Sequence, residues 1–354
     1  MRIAWIVYGA LEQRTGGYIY DAAIVDRLRG AGDCVEILSI AAGSDPAQLA
    51  RTLIEARCDV IVADALAARE LGGALPRCEG HAARVLLVHH LTSWEREVQV
   101  HDARALRDEE ARAIAASDRL VTTSAWTACR LRAEYDRRCD VVVPGSDRLE
   151  RLERHRGADG RTVLLFVGSI VPRKRLALLL DAVDRAGSNL ELRVIGDPTR
   201  DPAYAASIRD CVEHRADLRK RVTILGLVDD RTLARELALA DALVLPSSLE
   251  GYGIVLAEAL HAGVPVIATR QGAICEVVGP SECALLFDDH AGALAGLLAR
   301  FVSEPGLRER MRVAARVRAL VLPKWDQAAT AFREVVTRAV AVQKGTVPSI
   351  EPAS

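Results

Sequence analysis

Short apolar runs rich in β-branched residues alternate along the chain with longer stretches of helical period. In the first half, Ile3–Tyr8, Val35–Ile40, Val60–Ala63, Val85–His89, Leu120–Thr123 and Val141–Val143 predict strands. Helical spacing fills the gaps, as in Ile19–Leu28 and Ala103–Ala116. The alternation stops after Pro144 and restarts at Val163–Val167. It continues through Leu192–Ile195, Val222–Leu225, Ala242–Leu245, Val264–Ala268 and Ala284–Phe287. Uniformly apolar strands separated by helices predict parallel sheets covered on both faces. The polar interval Gly145–Gly160 ends in glycine and predicts a linker. The expected fold is α/β: two Rossmann-like domains facing across a cleft, residues 1–147 and 161–322, with a linker at 148–160. A last amphipathic helix occupies 323–343, and 344–354 is expected to be a flexible tail. A ligand is expected between the domains, at the carboxyl ends of the strands.

Composition narrows the classes. The chain has 354 residues, half of them hydrophobic and 27% charged, so it folds, and its length suits about two domains. A net charge of −1 argues against nucleic acid as a partner. Of the eight cysteines none are at C-x-x-C spacing, so no zinc module is expected, and reduced core thiols are. The apolar start Met1–Trp5 soon meets Gly9 and charge, and no run reaches the ~18 apolar residues of a span. A soluble, cytoplasmic protein is expected. Only four residues are lysines, Lys174 among them.

The densest chemistry lies in Pro246-Ser247-Ser248-Leu249-Glu250-Gly251-Tyr252-Gly253-Ile254, followed by Glu258. An apolar strand ends at Leu245, a turn with two glycines follows, and a helix begins near Gly253. Glycines at a helix entrance let backbone N–H groups approach an anion, which the helix dipole also favours. Glu250 and Glu258 can accept hydrogen bonds from sugar or ribose diols. Solvated glutamates on an ordinary strand–turn–helix are the alternative at this stage.

This block resembles the signature of the retaining nucleotide-sugar glycosyltransferases of family four, in which two glutamates are separated by seven residues. Gly263-Val264-Pro265-Val266-Ile267-Ala268-Thr269 and Gly272-Ala273-Ile274-Cys275-Glu276-Val277 are similar to the family's next strand and turn. Upstream, Phe166-Val167-Gly168-Ser169 through Arg173-Lys174 is similar to its phosphate-contacting segment, and Pro144-Gly145-Ser146-Asp147 to the end of its first domain. The likeness is dense from Val141 to Leu286 and thin before that.

The resemblance implies the GT-B arrangement and transfer of a sugar, UDP-linked by default, from a nucleoside-diphosphate donor to a small-molecule or glycan acceptor. It implies no metal and no cofactor. Glu258 then matches the ribose-binding glutamate, Glu250 the glutamate beside the donor sugar, and Lys174 the lysine that neutralises the diphosphate. Amides from Gly251 through Tyr252 and Gly253 to Ile254 would bind sugar and phosphate oxygens. Ser169 stands where the family has arginine, and a serine cannot replace a bidentate guanidinium; Arg173 or Arg14 would have to compensate. In the first domain the Gly16-Gly17 pair precedes a helix, and His89-His90 ends a strand. The family carries a strand-end histidine facing the donor sugar; His89 is the preferred match, with His90 open. The resemblance also implies that the last helix crosses back to the first domain.

There is no Asp-x-Asp, GxxxxGK[ST], HExxH or GxSxG, so no metal site is expected. Glu95–Arg112 holds six acids and four arginines, which disfavours a membrane-surface helix. A sugar phosphorylase, a sugar-nucleotide epimerase and an inactive nucleotide-sugar-binding relative stay open, and oligomeric state is not readable.

Overall fold

The computed structural model describes residues 1–98, 100–154, 160–288 and 290–346. It divides into two compact units, Met1–Pro144 with Pro323–Ser354, and Gly145–Leu322. The first unit holds β1 (Arg2–Tyr8), β2 (Cys34–Ile40), β3 (Val60–Asp64), β4 (Ala83–Val88), β5 (Arg119–Thr122) and β6 (Asp140–Val141). They form one sheet in the order β2-β1-β3-β4-β5-β6, and every pair is parallel. The second unit holds β7 (Thr162–Val167), β8 (Leu190–Ile195), β9 (Val222–Gly226), β10 (Ala242–Leu245), β11 (Val266–Thr269) and β12 (Ala284–Phe287). Their order is β12-β11-β10-β7-β8-β9, again all parallel.

Parallel pairing follows from the sequence. Ile3, Ala4, Trp5, Ile6 and Val7 of β1 are all buried, as is every residue of β10. Strands with no polar face must be covered on both sides by helices. Strand order reverses between β1 and β3 in one sheet and between β7 and β10 in the other. At such a reversal the loops leave in opposite directions and open a crevice at the strands' carboxyl ends.

Several boundaries differ from the sequence reading, each for a local reason. β11 begins at Val266 rather than Val264, because Pro265 has no N–H for the ladder and the Val264 amide turns back to the Ala259 carbonyl. The edge strand β6 is two residues long. The expected linker is partly fixed: Arg148 and Arg154 form ion pairs within the second unit, and Leu149 is buried. His155–Asp159 lie outside the described residues, as does most of the expected tail. The core-thiol reading holds for Cys58, Cys78 and Cys283, but Cys34, Cys129 and Cys275 are exposed.

The helix Trp325–Gln343 packs in the first unit. Its buried stripe of Trp325, Phe332, Val335, Val336 and Val340 meets β1 and the helix Gly16–Gly30. The Phe332 ring lies 5.3 Å from Trp5 and the Trp325 ring 5.9 Å from Tyr20. Buried aromatics of this kind cost about 3–5 kcal/mol to truncate. Arg27–Asp326 and Arg333–Asp33 pairs flank the stripe. No helix among the described residues is long and apolar enough to cross a membrane.

Candidate functional site

In the second unit the strand-order reversal places the loops after β7 and β10 side by side. The loop after β7 ends in a tight turn, Pro172–Lys174. Its Arg173 carbonyl accepts from the Ser248 amide at 2.9 Å, which fastens it to the loop after β10. Lys174 Nζ then meets Glu250 Oε1 at 2.5 Å. Gly168 leaves room for the lysine stem, which runs 3.5 Å from the point a Cβ would occupy. The Arg173 guanidinium donates to the Leu249 carbonyl at 2.7 Å and lies 4.0 Å from Glu250. Glu250 is 5% exposed. Burial alone would raise its carboxyl, but the charges of Lys174 and then Arg173 outweigh burial and hold it below its usual value. The cluster is thus a buried carboxylate with two cations beside it.

Glu250 is fixed from behind. Its carbonyl accepts from the Ala273 amide at 2.9 Å. A Cβ on Gly272, whose φ is +63°, would overlap that carbonyl oxygen and stand 2.8 Å from the Glu250 nitrogen. Past Glu250 the chain turns through Gly251 and the buried Tyr252 to Gly253, whose φ of +87° starts the helix Ile254–His261. Burial pushes the Tyr252 phenol well up, so that group stays neutral.

Glu258 lies in that helix, 2% exposed. The structure does not pair it with the Lys174 cluster. Its Oε1 accepts from Arg148 Nε at 2.7 Å, and Arg148 also pairs with Asp230 at 2.6 Å. Burial raises the Glu258 carboxyl, and Arg148 offsets only part of the rise. Arg148 was missed by sequence reasoning, because it follows the Gly145-Ser146-Asp147 turn in a stretch that reads as linker.

In the first unit the strand-order reversal brings Asp64, at the end of β3, near the helix Gly16–Gly30, and His89 follows β4. The three atoms nearest a Cβ built on Gly17 all belong to the His89 ring, the closest at 3.0 Å. Gly17 is therefore needed for close approach to His89, whereas a Cβ on Gly16 meets nothing within 4 Å. His89 Nε2 lies 3.4 Å from Asp21 Oδ1, and Tyr20 meets the ring edge-on at 5.3 Å. His90 instead pairs with Glu95 at 2.8 Å. Ligand atoms of Asp21, Asp64 and His89 all lie within 4.8 Å of one another. The signal for Asp21 was present but unread: a carboxylate inside the otherwise apolar Tyr18–Val25 run.

Burial pulls His89 down, but the Asp21 hydrogen bond and the charges of Asp64 and Asp21 reverse that, and the ring ends above its ordinary 6.5. Burial also pushes Asp64 up, against the pull of His89. Both groups bind a proton more tightly folded than unfolded. Their stabilisation is complete below their unfolded values and is lost as pH rises through the folded ones. Asp21→Asn should lower the His89 pKa and so weaken the loss of stability as pH rises above 6.5. Histidine NMR titration and urea unfolding across that range check both, and an unmoved His89 titration would refute the coupling.

The family described as Glycosyl transferases group 1 matches residues 147–318. A D-inositol 3-phosphate glycosyltransferase of Streptomyces avermitilis is 31% identical over 264 residues, 68% of this chain and 56% of that protein. An MMP alpha-(1->4)-mannosyltransferase of Mycolicibacterium hassiacum is 28% identical over 280 residues, 73% of this chain and 66% of that protein. The matched stretch thus spans little more than half of the first of these relatives. Among solved structures, the sucrose-phosphate synthase of Thermosynechococcus elongatus superposes with a TM-score of 0.81 at 21% identity, covering 97% of this chain and all of that one. Anabaena HepE in complex with UDP-glucose gives 0.76 at 15% identity, covering 96% and 100%. The likeness to these GT-B structures is one of fold, which in this chain is two parallel six-stranded sheets, each in its own unit. With the Lys174–Glu250 cluster and Glu258 inside the matched stretch, residues 147–318 belong to the glycosyl transferases group 1 family.

Proposed function

We propose that this protein is a cytoplasmic, retaining hexosyltransferase. It would move a sugar from a nucleoside-diphosphate sugar, UDP-linked first, to a hydroxyl of a soluble acceptor, with no metal or cofactor. The observation that carries this reading is the Lys174–Arg173–Glu250 cluster at the strand-order reversal of a group 1 domain. Anabaena HepE binds UDP-glucose on the same fold, which favours uridine as the base.

On this reading the diphosphate takes the place of Glu250 as the partner of Lys174. The amides of Gly251 through Ile254 add donors at a helix start. As the bond from the sugar carbon to phosphate oxygen breaks, negative charge grows on the leaving diphosphate, and Lys174 and Arg173 are already placed to meet it. Arg173 supplies the cation that Ser169 lacks. The leaving phosphate oxygen takes the acceptor hydroxyl's proton while the acceptor oxygen bonds the same face of the sugar, so no protein nucleophile is required. Glu258, oriented by Arg148, accepts from ribose hydroxyls. In the first unit Gly17 and the Asp21-held His89 stand together, and His90, tied to Glu95, does not join them. No nucleic acid partner is part of the reading.

Thermal-shift measurements against UDP, GDP and ADP and their sugars test it, since a ligand bound only by the native state raises Tm by mass action. D-inositol 3-phosphate, the acceptor in the name of the Streptomyces relative, is the first acceptor to try. Chelator should leave transfer unchanged; a strict requirement for a divalent ion would overturn the metal-free mechanism. Release of sugar 1-phosphate from a disaccharide, or conversion of the donor without acceptor, would instead identify a phosphorylase or an epimerase. Glu258→Ala should weaken nucleoside diphosphate binding by about tenfold or more, the worth of a hydrogen bond to a charged acceptor. Unchanged affinity would remove Glu258 from the site.

A further inference from the structure

A cavity of about 500 Å³ lies within the second unit, away from the cluster just described. It is lined by Arg151, Arg154, Arg312 and Arg316, with Gly263 and Val264 among its remaining walls. Asp241 and Val264 come just before β10 and β11, so the cavity opens at the amino ends of these strands. Lys174 and Glu250 follow the carboxyl ends of β7 and β10. The four residues of β10 alone separate the two sites by roughly 13 Å.

The arginines are not matched by acids. Asp241 serves two of them at once: it pairs with Arg154, and with Arg312 at 3.3 Å. Its other oxygen accepts from the Val163 amide. Glu153 lines the cavity and Glu309 faces Arg312, which still leaves guanidinium in excess. Arg312 is 5% exposed, and its Nε, like that of Arg154, is buried with no hydrogen-bond partner among the described residues. Burial and the neighbouring Arg154 pull Arg312 down to about 10, so it keeps its charge at neutral pH. Arg151 Nη2 and Arg316 Nε lie 3.7 and 3.3 Å from the point where a Gly263 Cβ would stand. Two more guanidiniums therefore converge on one spot of the cavity wall, and among the described residues neither is in an ion pair. Planar forks of N–H donors gathered in excess of the carboxylates around them match the oxygens of a phosphate or diphosphate.

We propose that this arginine-lined cavity is a second anion site, which binds a phosphate- or diphosphate-bearing ligand independently of the donor site. Its volume suits a sugar phosphate or nucleotide. The same chemistry is carried by a phospholipid headgroup. The helix Pro305–Ala319, which carries Arg312 and Arg316, also exposes Val313 and Val317, and Leu320 and Val321 follow it.

The test uses inorganic pyrophosphate and the full chain. Calorimetry is run on wild type, on Lys174→Ala, which removes one of the two donor-site cations, and on Lys174→Ala carrying Arg151→Gln/Arg316→Gln. The last two positions are exposed, so folding should survive, and Tm checks that it does. Pyrophosphate should still bind Lys174→Ala, and the double arginine variant should lose about tenfold or more in affinity at this site. No binding to Lys174→Ala, or unchanged affinity in the arginine variant, would overturn the proposal. Sedimentation with phosphatidylcholine vesicles, with and without phosphatidic acid, separates the sources. Arginine-dependent binding that pyrophosphate displaces would put the phosphate on a lipid; pyrophosphate binding without vesicle binding would put it on a soluble ligand.

Discussion

Lys174→Ala should lower the rate of sugar transfer by about two to three orders of magnitude, the usual cost of removing one preorganised group from a developing negative charge. The effect should fall on kcat more than on KM, because the charge is fully formed only as the diphosphate leaves. The variant also leaves Glu250 buried beside a single cation. Arg173 remains 4.0 Å away, so the carboxylate is not stranded, but some stability should be lost. Lys174→Ala/Glu250→Gln separates the two effects. Removing the residual charge should restore Tm while leaving activity low. Recovery of activity along with Tm would mean that Lys174 only holds the fold.

Gly272→Ala should be the most damaging single methyl in the second unit. The new Cβ would overlap the Glu250 carbonyl oxygen, and Gly272 already has a φ of +63°, where an L side chain is strained. Backbone rather than a flexible side chain must give way, so a loss of about 3 kcal/mol or more is expected, with donor binding reduced in whatever fraction folds. Gly16→Ala is the control: nothing lies within 4 Å of its added Cβ, and urea unfolding should barely distinguish it from wild type. Equal behaviour of the two variants would refute the argument from close approach.

The strands were readable because a strand buried on both faces has no polar positions to confuse its pattern, as β1 and β10 show. Their order was not, since hydrophobic runs do not say which neighbour each will choose. Lys174 and Glu250 were readable from motifs, but their ion pair depends on the Arg173 carbonyl that accepts from the Ser248 amide, a contact between loops far apart in sequence. Arg148, Asp21 and Asp64 were unread for a similar reason. Each acquires its role only when a second element, the Glu258 helix or the end of β4, is brought beside it. The glycine pair at 16 and 17 reads in sequence as one feature, and the structure tells its members apart: Gly17 stands against the His89 ring, whereas Gly16 has open space where a Cβ would stand.

The first unit is assembled from both ends of the described chain, with Trp325–Gln343 closing over Trp5 and Tyr20. A ribosome makes the whole second unit before it makes that helix. During synthesis the second unit has every strand it needs and can fold as it emerges, while the first waits with the apolar surface around Trp5 uncovered. The nascent first unit is thus the stage at which a chaperone would be most needed, and the last helix acts as the clasp that releases it.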